Sequence, residues 1–365
     1  MRKKVIFAIN NLGMGGAQNM LIEQVRYMNR ERFEPLIVTL LRNPEINVVS
    51  NIPANVKFVE FNFSRIFTIK ALFALWLFLR RERVDAIITN LFETNLLGRV
   101  AAVLAGVPIV LSYEHNVYKD KRRWQIIADR ILARFTKKIL VSSNEVLEFT
   151  SKQEGLPKSK FQLNLNSIPL KLGDAKKNRE AVLKKYGLEE EFVYIVAIGS
   201  LTEQKGHRYL IDAVYEIKNR DLSGFKVLIF GRGSLKNELL AQINNLGLEN
   251  VSLMGVAPIE DIVAITDIFT LPSLWEGLSI ALLQAMDARC PIVVTRVSGT
   301  SDALENEVSA LIIDPGESHQ LSKALERLLK DQDLRRKLSE KAKEKVNEFS
   351  IEKNVKVIED LIASE

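Results

Sequence analysis

Short runs rich in β-branched residues alternate with longer segments of helical periodicity along the whole chain. In the first half the apolar runs are VIFAIN (5–10), PLIVTLL (35–41), KFVEF (57–61), AIITN (86–90), PIVLSYE (108–114) and KILVSS (138–143). In the second half they are VYIVAIG (193–199), KVLIFG (226–231), VSLMG (251–255), IFTLPS (268–273), PIVVT (291–295) and ALIID (310–314). Strands spaced by amphipathic helices predict parallel sheets wound by helices. The polar, Pro-containing stretch LNLNSIPLKLGDAKKNRE (163–180) separates the two sets and reads as an interdomain linker. No repeat of solenoid length is present. The fold class expected is therefore α/β, with two Rossmann-like, doubly wound domains facing a central cleft.

In open α/β sheets ligands lie beyond the carboxyl ends of the strands, so the loops after each run carry the candidate chemistry. The first run leads into NNLGMGGAQNML, where Gly13, Gly15 and Gly16 precede a helix whose free N–H groups suit an anion. A dinucleotide site would want an acid after the second strand; VTLLRN has none, which argues against NAD. His115, one of three histidines, follows the fifth run, with Asn90 at the end of the fourth. His115 is either a hydrogen-bonded structural residue or a ligand contact. In the second half GSLTEQKG places Lys205 on a Gly-rich turn, as a phosphate-binding cation or a solvated lysine. FGRGS (230–234) reads as packing. In LWEGLSIALLQAM a Glu276–Gly277 pair opens an apolar helical run, and Gln284 follows two turns later. Asp331-Gln332-Asp333 precedes an amphipathic run and reads as a helix cap, and no His/Cys cluster offers a metal site.

Composition narrows the class. Of 365 residues, 47% are hydrophobic and 26% charged, as in a soluble globular chain of two or more domains. A single cysteine, Cys290, excludes an internal disulfide and fits a reducing, cytoplasmic compartment. Met1–Lys4 runs straight into a strand too short for a secretion signal. The longest apolar run, ALFALWLFL (71–79), covers about 14 Å as a helix, half of what a membrane span needs. The net charge of +6 is uneven: residues 1–165 hold 25 Lys/Arg against 14 Asp/Glu, leaving the rest negative. Nucleic acid is set aside for want of any matching motif. YKDKRRWQIIADRILARFTKK (118–138) interleaves Lys119, Lys121, Arg122 and Arg123 with Trp124, which suits an anionic membrane surface. FNFSRIFTIKALFALWLFLRRER (61–83) is a weaker candidate of the same kind, and either stretch also fits a core-packed helix with a wet basic end.

Five segments occur in order across nearly the whole chain: GMGGAQNML, SYEHN, GSLTEQKGHRYLIDA, LWEGLSIALLQAM and VSGTSDALE. Together they resemble the family-four retaining glycosyltransferases of GT-B fold. The resemblance implies an N-terminal acceptor-side domain over 1–168, a linker over 169–190 and a nucleotide-sugar domain over 191–349. A C-terminal helix over 350–365 is expected to pack back on the N-terminal domain.

It further implies retaining, metal-independent transfer of a hexosyl or N-acetylhexosaminyl group from a UDP- or GDP-sugar, with no cofactor. Glu276, Lys205 and His115 are the implied catalytic residues. Gly15, Gly16, Ser200, Gly277, Leu278, Ser279 and Gln284 are the implied donor-binding set. The expected acceptor is a lipid-linked glycan, such as a polyprenyl-diphosphate saccharide of an envelope pathway, met at the inner face of the membrane by a peripheral protein. The sequence departs from the family pattern at Gln284, where Glu is usual, and at Ser200, Arg289, Asp302 and Ala310. These departures sustain an alternative, a weakly active or non-catalytic subunit that binds nucleotide sugar.

Overall fold

The computed structural model describes residues 2–364 except 14, 46 and 221. It divides into two compact units, residues 1–169 with 350–365, and residues 170–349.

The first unit is a parallel sheet of β1 (Lys3–Ile9), β2 (Phe33–Leu41), β3 (Lys57–Phe63), β4 (Ala86–Asn90), β5 (Ile109–Glu114), β6 (Lys138–Val141) and β7 (Phe161–Leu163). Their order is β3-β2-β1-β4-β5-β6-β7, a doubly wound arrangement whose switch point lies between β1 and β4. β7 is an edge strand of three residues, too short to give a periodic signal. The helices are α1 (Gly16–Tyr27), α2 (Ile69–Glu82), α3 (Phe92–Ala105), α4 (Arg123–Leu132) and α5 (Asn144–Glu154). One sheet face presents Ile6, Ala8, Leu36, Val38 and Ile87 to Leu75, Leu79, Leu97 and Ala101 of α2 and α3. Strands buried on both faces explain the near-continuous apolar runs of the sequence.

The second unit holds α6 (Arg179–Tyr186), α7 (His207–Lys218), α8 (Lys236–Asn245), α9 (Ile259–Ile265), α10 (Ile280–Asp287), α11 (Ser298–Ala303), α12 (Ser318–Lys330) and α13 (Gln332–Val346). They surround β8 (Val193–Ile198), β9 (Phe225–Phe230), β10 (Val251–Gly255), β11 (Ile268–Leu271), β12 (Ile292–Thr295) and β13 (Leu311–Ile313), ordered β10-β9-β8-β11-β12-β13 and all parallel. The switch point here lies between β8 and β11.

The segment 169–190 corrects the sequence reading. It is not a free linker. α6 inserts Val182 and Leu183 into a core with Tyr194, Val196 and Leu228, and Arg179 pairs with Asp267 at 2.9 Å. Half of its eight residues are charged, which hid two core positions one behind the other.

The chain ends in α14 (Ile351–Ala363), which belongs to the first unit although it follows the second. Ile351, Val355, Ile358 and Ile362 repeat at helical spacing and are at most 3% exposed, each worth about 1.5–3 kcal/mol of burial. Asn354 fixes the register. Its amide donates to the Leu165 carbonyl at 2.7 Å, and its Oδ1 accepts from the buried Gln24 of α1 at 2.9 Å.

Replacing Asn354 with Ala leaves the buried Gln24 amide and the part-buried Leu165 carbonyl without these partners. At about 1–3 kcal/mol for each orphaned group, urea unfolding should show a loss of at least about 2 kcal/mol. A midpoint equal to wild type would show that α14 is held by its apolar face alone.

Candidate active site

The carboxyl edge of the second sheet brings two loops together at the switch point. After β8, residues 199–205 run through Ser200 and end in a single tight turn, Glu203–Lys205. After β11, residues 272–279 lead into α10. Lys205 Nζ donates to Glu276 Oε1 in an ion pair whose side chains are about one-seventh exposed, and Ser273 Oγ donates to Glu276 Oε2 at 2.8 Å. Ser273 is itself held, since Thr295 Oγ1 donates to its carbonyl at 2.6 Å. Gln204 ties the loops a second time, donating from Nε2 to the Trp275 carbonyl at 3.0 Å. Glu276 is thus oriented from both oxygens, as a group that must meet a ligand in one geometry requires.

Glycine makes this approach feasible. Gly206 has φ of +62°, and a Cβ there would lie 2.0 Å from the Pro272 carbonyl oxygen. A Cβ on Gly299, at the start of α11, would lie 2.2 Å from Leu278 N, so the VSGTSDALE segment packs its backbone directly on the Gly277–Leu278 turn. Leu278 and Ser279 are buried, and the Ser279 hydroxyl does not cap α10. Gln284 stands on the next turn of α10, half-buried, with no side-chain hydrogen bond to another described residue. Ser200 is exposed, and its Oγ lies 3.1 Å from Thr202 Oγ1.

Arg289 lies elsewhere. It follows the opposite end of α10 in a left-handed conformation, φ +53°, with Glu340 at 3.5 Å. Ala310 stands just before β13, at the amino edge of the sheet. Neither departure touches the Lys205–Glu276 pair, so of the substitutions that favoured a degraded site Gln284 carries the most weight. Asp331 caps α13 by accepting from Leu334 N at 2.8 Å, and no group of three or more His, Cys, Asp or Glu among the described residues is placed to hold a metal.

In the first unit the corresponding edge carries Gly15, Gly16 and His115. Gly15 precedes α1 in an extended conformation, Gly16 is its first residue, and the first turn holds no acid to neutralise the helix terminus. Asn10, just after β1, accepts from Thr94 N at 3.2 Å and donates to Glu93 at 2.6 Å, binding this loop to the start of α3. Leu91, between β4 and α3, has φ +68° and ψ 153°, a region nearly reserved for glycine that costs on the order of 1–3 kcal/mol. The strained turn follows Asn90 directly. Asn90 Nδ2 donates to the carbonyls of Ala8 and Ile88, so its Oδ1 faces His115 Nε2 at 2.9 Å. An amide oxygen only accepts, which fixes the proton on Nε2 and leaves Nδ1 as a buried acceptor without a partner among the described residues. Burial lowers the His115 pKa to about 4, and its ring stacks on Tyr113 with centroids 4.2 Å apart. At neutral pH it is an uncharged, oriented acceptor.

The basic cluster divides. Lys119, Arg122, Arg123 and Trp124 are exposed, but Lys121 is not, which corrects its assignment to the membrane-facing surface. Its side chain is 2% exposed and pairs with Asp129 at 2.9 Å and Glu154 at 2.8 Å, beneath the rings of Phe92 and Tyr118. Arg99 completes the cluster through Asp129. Burial alone would lower the Lys121 pKa, but Glu114, Glu154 and Asp129 raise it. Burial raises Glu154 to about 7, against the opposing pull of Lys121. Around the cluster, Trp124, Ile127 and Ile131 repeat at helical spacing along α4, Phe135 follows in the turn beyond it, and all four are at least half exposed. Phe67 extends the stripe, edge-on to Trp124 at 6.3 Å. No helix among the described residues is long and apolar enough to cross a membrane.

Two family models match the chain, "Glycosyltransferase Family 4" over residues 14–171 and "Glycosyl transferases group 1" over 178–345. The chain is 27% identical over 363 residues to the UDP-Gal:alpha-D-GlcNAc-diphosphoundecaprenol alpha-1,3-galactosyltransferase of Escherichia coli, covering 95% of this chain and 93% of that one. It is 22% identical over 355 residues, 95% of each chain, to a Campylobacter jejuni GalNAc-alpha-(1->4)-GalNAc-alpha-(1->3)-diNAcBac-PP-undecaprenol alpha-1,4-N-acetyl-D-galactosaminyltransferase. Among solved structures, Anabaena Alr3699/HepE in complex with UDP-glucose is similar in fold, with a TM-score of 0.86 at 18% identity, over 99% of this chain and 100% of that one.

The buried cluster sets a pH dependence. Glu154 has a folded pKa of about 7 against 4.5 for the ordinary group, so the folded state binds the extra proton between those values. Stability is therefore greatest at the acid end of that window and falls as pH rises through it. Glu154→Gln should flatten this slope in thermal melts across pH 4.5–7. A slope unchanged by the substitution would move the titration to another group.

Proposed function

The chain belongs to the family-four glycosyltransferases of GT-B fold, and from that premise we propose that it transfers a sugar from a nucleotide diphosphate sugar to a lipid-linked glycan with retention at the anomeric carbon. The observation that carries the donor reading is the Lys205–Glu276 pair across the switch point of the second sheet. An acid fixed from both oxygens is suited to accept hydrogen bonds from sugar hydroxyls. The adjoining cation is suited to the diphosphate. Lys205 and Glu276 satisfy each other, so neither charge is left desolvated and alone. Donor binding exchanges that one bond for two, and Lys205 gains most as charge grows on the departing phosphate.

In the proposed reaction the bond from the anomeric carbon to the phosphate oxygen breaks, and the acceptor hydroxyl bonds on the same face. Its proton passes to the departing phosphate. Lys205 supplies positive charge, and the reading invokes no metal or cofactor. Gln284 is proposed to hold the nucleotide ribose through a neutral amide. Gly277, Leu278 and Ser279 are proposed to offer N–H groups to the diphosphate, with Ser200 beside them. In the first unit, the N–H groups at Gly15 and Gly16 suit an anion, and the bare Nδ1 of His115 suits a hydroxyl donor. Whether the donor base is uracil or guanine is left to the assay; the Escherichia coli relative is named for UDP-Gal.

The acceptor reading rests on two supports. Both relatives are named for transfer to saccharides on undecaprenol diphosphate. The first unit also exposes the apolar stripe of α4 beside Lys119, Arg122, Arg123, Arg130 and Arg134. Aromatic and aliphatic side chains rimmed by cations suit a peripheral site on an anionic leaflet, the cytoplasmic one in this reading.

Glu276→Gln should lower transfer from a panel of UDP- and GDP-sugars to a membrane extract at least tenfold, about 1.4 kcal/mol of transition-state binding, with the α-anomer of donor and product compared by NMR. A variant that keeps its rate removes Glu276 from the reaction, and inverted product refutes retention. Replacing Trp124, Ile127 and Ile131 with Ser should release the protein from vesicles containing anionic lipid. Wild type should stay partly bound in 1 M salt, where screening shortens to about 3 Å but apolar insertion persists. Sedimentation indifferent to the triple substitution would refute attachment through α4.

A further inference from the structure

The loop after β9 carries a cation that the sequence reading left to packing. Arg232 lies between two glycines that have no room for side chains. A Cβ on Gly231 would stand 1.8 Å from the Gly199 carbonyl oxygen, and one on Gly233 would stand 2.3 Å from the Leu201 carbonyl oxygen. The Arg232 carbonyl accepts from Leu201 N at 2.9 Å. The backbone of this loop is therefore clamped onto Gly199–Leu201, the start of the loop that leads to Lys205, with Arg232 set against Ser200. Its side chain is exposed and makes no hydrogen bond or ion pair with any described residue.

Charge gives this position a use. Lys205 is already paired with Glu276, so that pair presents no net charge to an incoming anion. A nucleotide diphosphate carries two ionised phosphates, and Ser200 adds only a neutral hydroxyl. Several other cations of this unit are paired with acids, Arg179 with Asp267, Arg220 with Glu326 and Arg327 with Glu307. Arg232 is uncommitted and held at the same sheet edge. We propose that Arg232 is the second cation of the donor diphosphate site, placed beside the neutral Ser200. A guanidinium presents a planar fork of donors matched to phosphate oxygens, and the clamped backbone lowers the entropy lost when it engages. This rests on the reading that the donor is a nucleotide diphosphate sugar.

Titration with UDP, GDP, UMP and GMP tests it. Arg232→Ala should bind the preferred diphosphate about tenfold more weakly, with a smaller loss for the matching monophosphate and an unchanged melting temperature. Adding Ser200→Arg to that variant should recover most of the affinity, because the two positions adjoin. If the alanine variant binds UDP and GDP as wild type does, Arg232 has no part in the site. If the loss is as large for the monophosphate, its partner is not the diphosphate as a whole and the proposal fails. Wild type that binds neither diphosphate would instead overturn the donor reading itself.

Discussion

The second unit depends on a contact between two backbones. Gly206 approaches the Pro272 carbonyl so closely that any side chain would occupy the space of that oxygen. The parallel sheet supplies two loops at its switch point, but a switch point alone only makes a crevice. The glycine closes it, bringing the turn that carries Lys205 to the turn that carries Glu276. Gly231, Gly233 and Gly299 act in the same way on either side, each letting one backbone rest on another where a Cβ would fall within 2.3 Å of an atom. Stiffness follows from this, because loops locked by main-chain contact have few alternative positions. Glu276 then needs only Ser273 and Lys205 to fix its carboxylate.

The first unit reaches order by a different route, through buried polar groups. Asn90, Asn95, Glu114 and His115 cluster at the ends of β4 and β5, with Asn95 donating to Glu114 at 3.0 Å and to the Tyr113 carbonyl at 3.1 Å. Each such group is costly if left alone, so the arrangement tolerates few rotamers. Lys121 binds the segment that leaves His115 to α4 through Asp129 and to α5 through Glu154. The histidine loop and the exposed stripe of α4 consequently share one support. A displacement of α4 is resisted by the same buried ion pairs that shape the residues following His115. The strained Leu91 fits this picture, since an unfavourable backbone conformation persists only where its surroundings determine it.

Much of this was legible in the sequence because parallel sheets write their strands as apolar runs and place function after them. Six of the seven strands of the first unit and all six of the second were recognisable on that basis. Glu276, Lys205 and His115 stand in the loops that the same rule singles out, and the family resemblance supplied their expected roles. Ser273 obeys it too, standing two residues past β11, but a lone serine carries no signal until its partner is known. What the sequence concealed was mostly a matter of facing. Lys121 sits in a run of exposed cations, and its partners lie 8 and 33 residues away, so nothing local separates it from its neighbours. In α6, Val182 and Leu183 are adjacent rather than periodic, and charged residues around them mimic a linker. Arg232 was hidden by its glycines, which indicate close packing and say nothing of what the intervening side chain does.

The fold also decides which cations of the basic half can meet a surface. Arg99 and Lys121 belong to that half, yet both are buried against Asp129 and Glu154, so neither is free to reach one. The cations that remain along α4 contribute about 1 kcal/mol each near an anionic surface, and salt screens them. A large apolar side chain moved out of water contributes about 1.5–3 kcal/mol and is not screened. Trp124, Ile127, Ile131 and Phe135 therefore outweigh the arginines beside them in the proposed attachment. The two sets divide the work by range. In that proposal charge, acting over several ångströms, would turn the basic face toward the leaflet, whereas the apolar stripe, acting only on contact, would hold the protein there. Attachment by one face of one helix, if it is made as proposed, would fix depth and orientation together. That is the condition under which a lipid-linked acceptor, itself confined to the surface, would meet the same edge of the first sheet at each encounter.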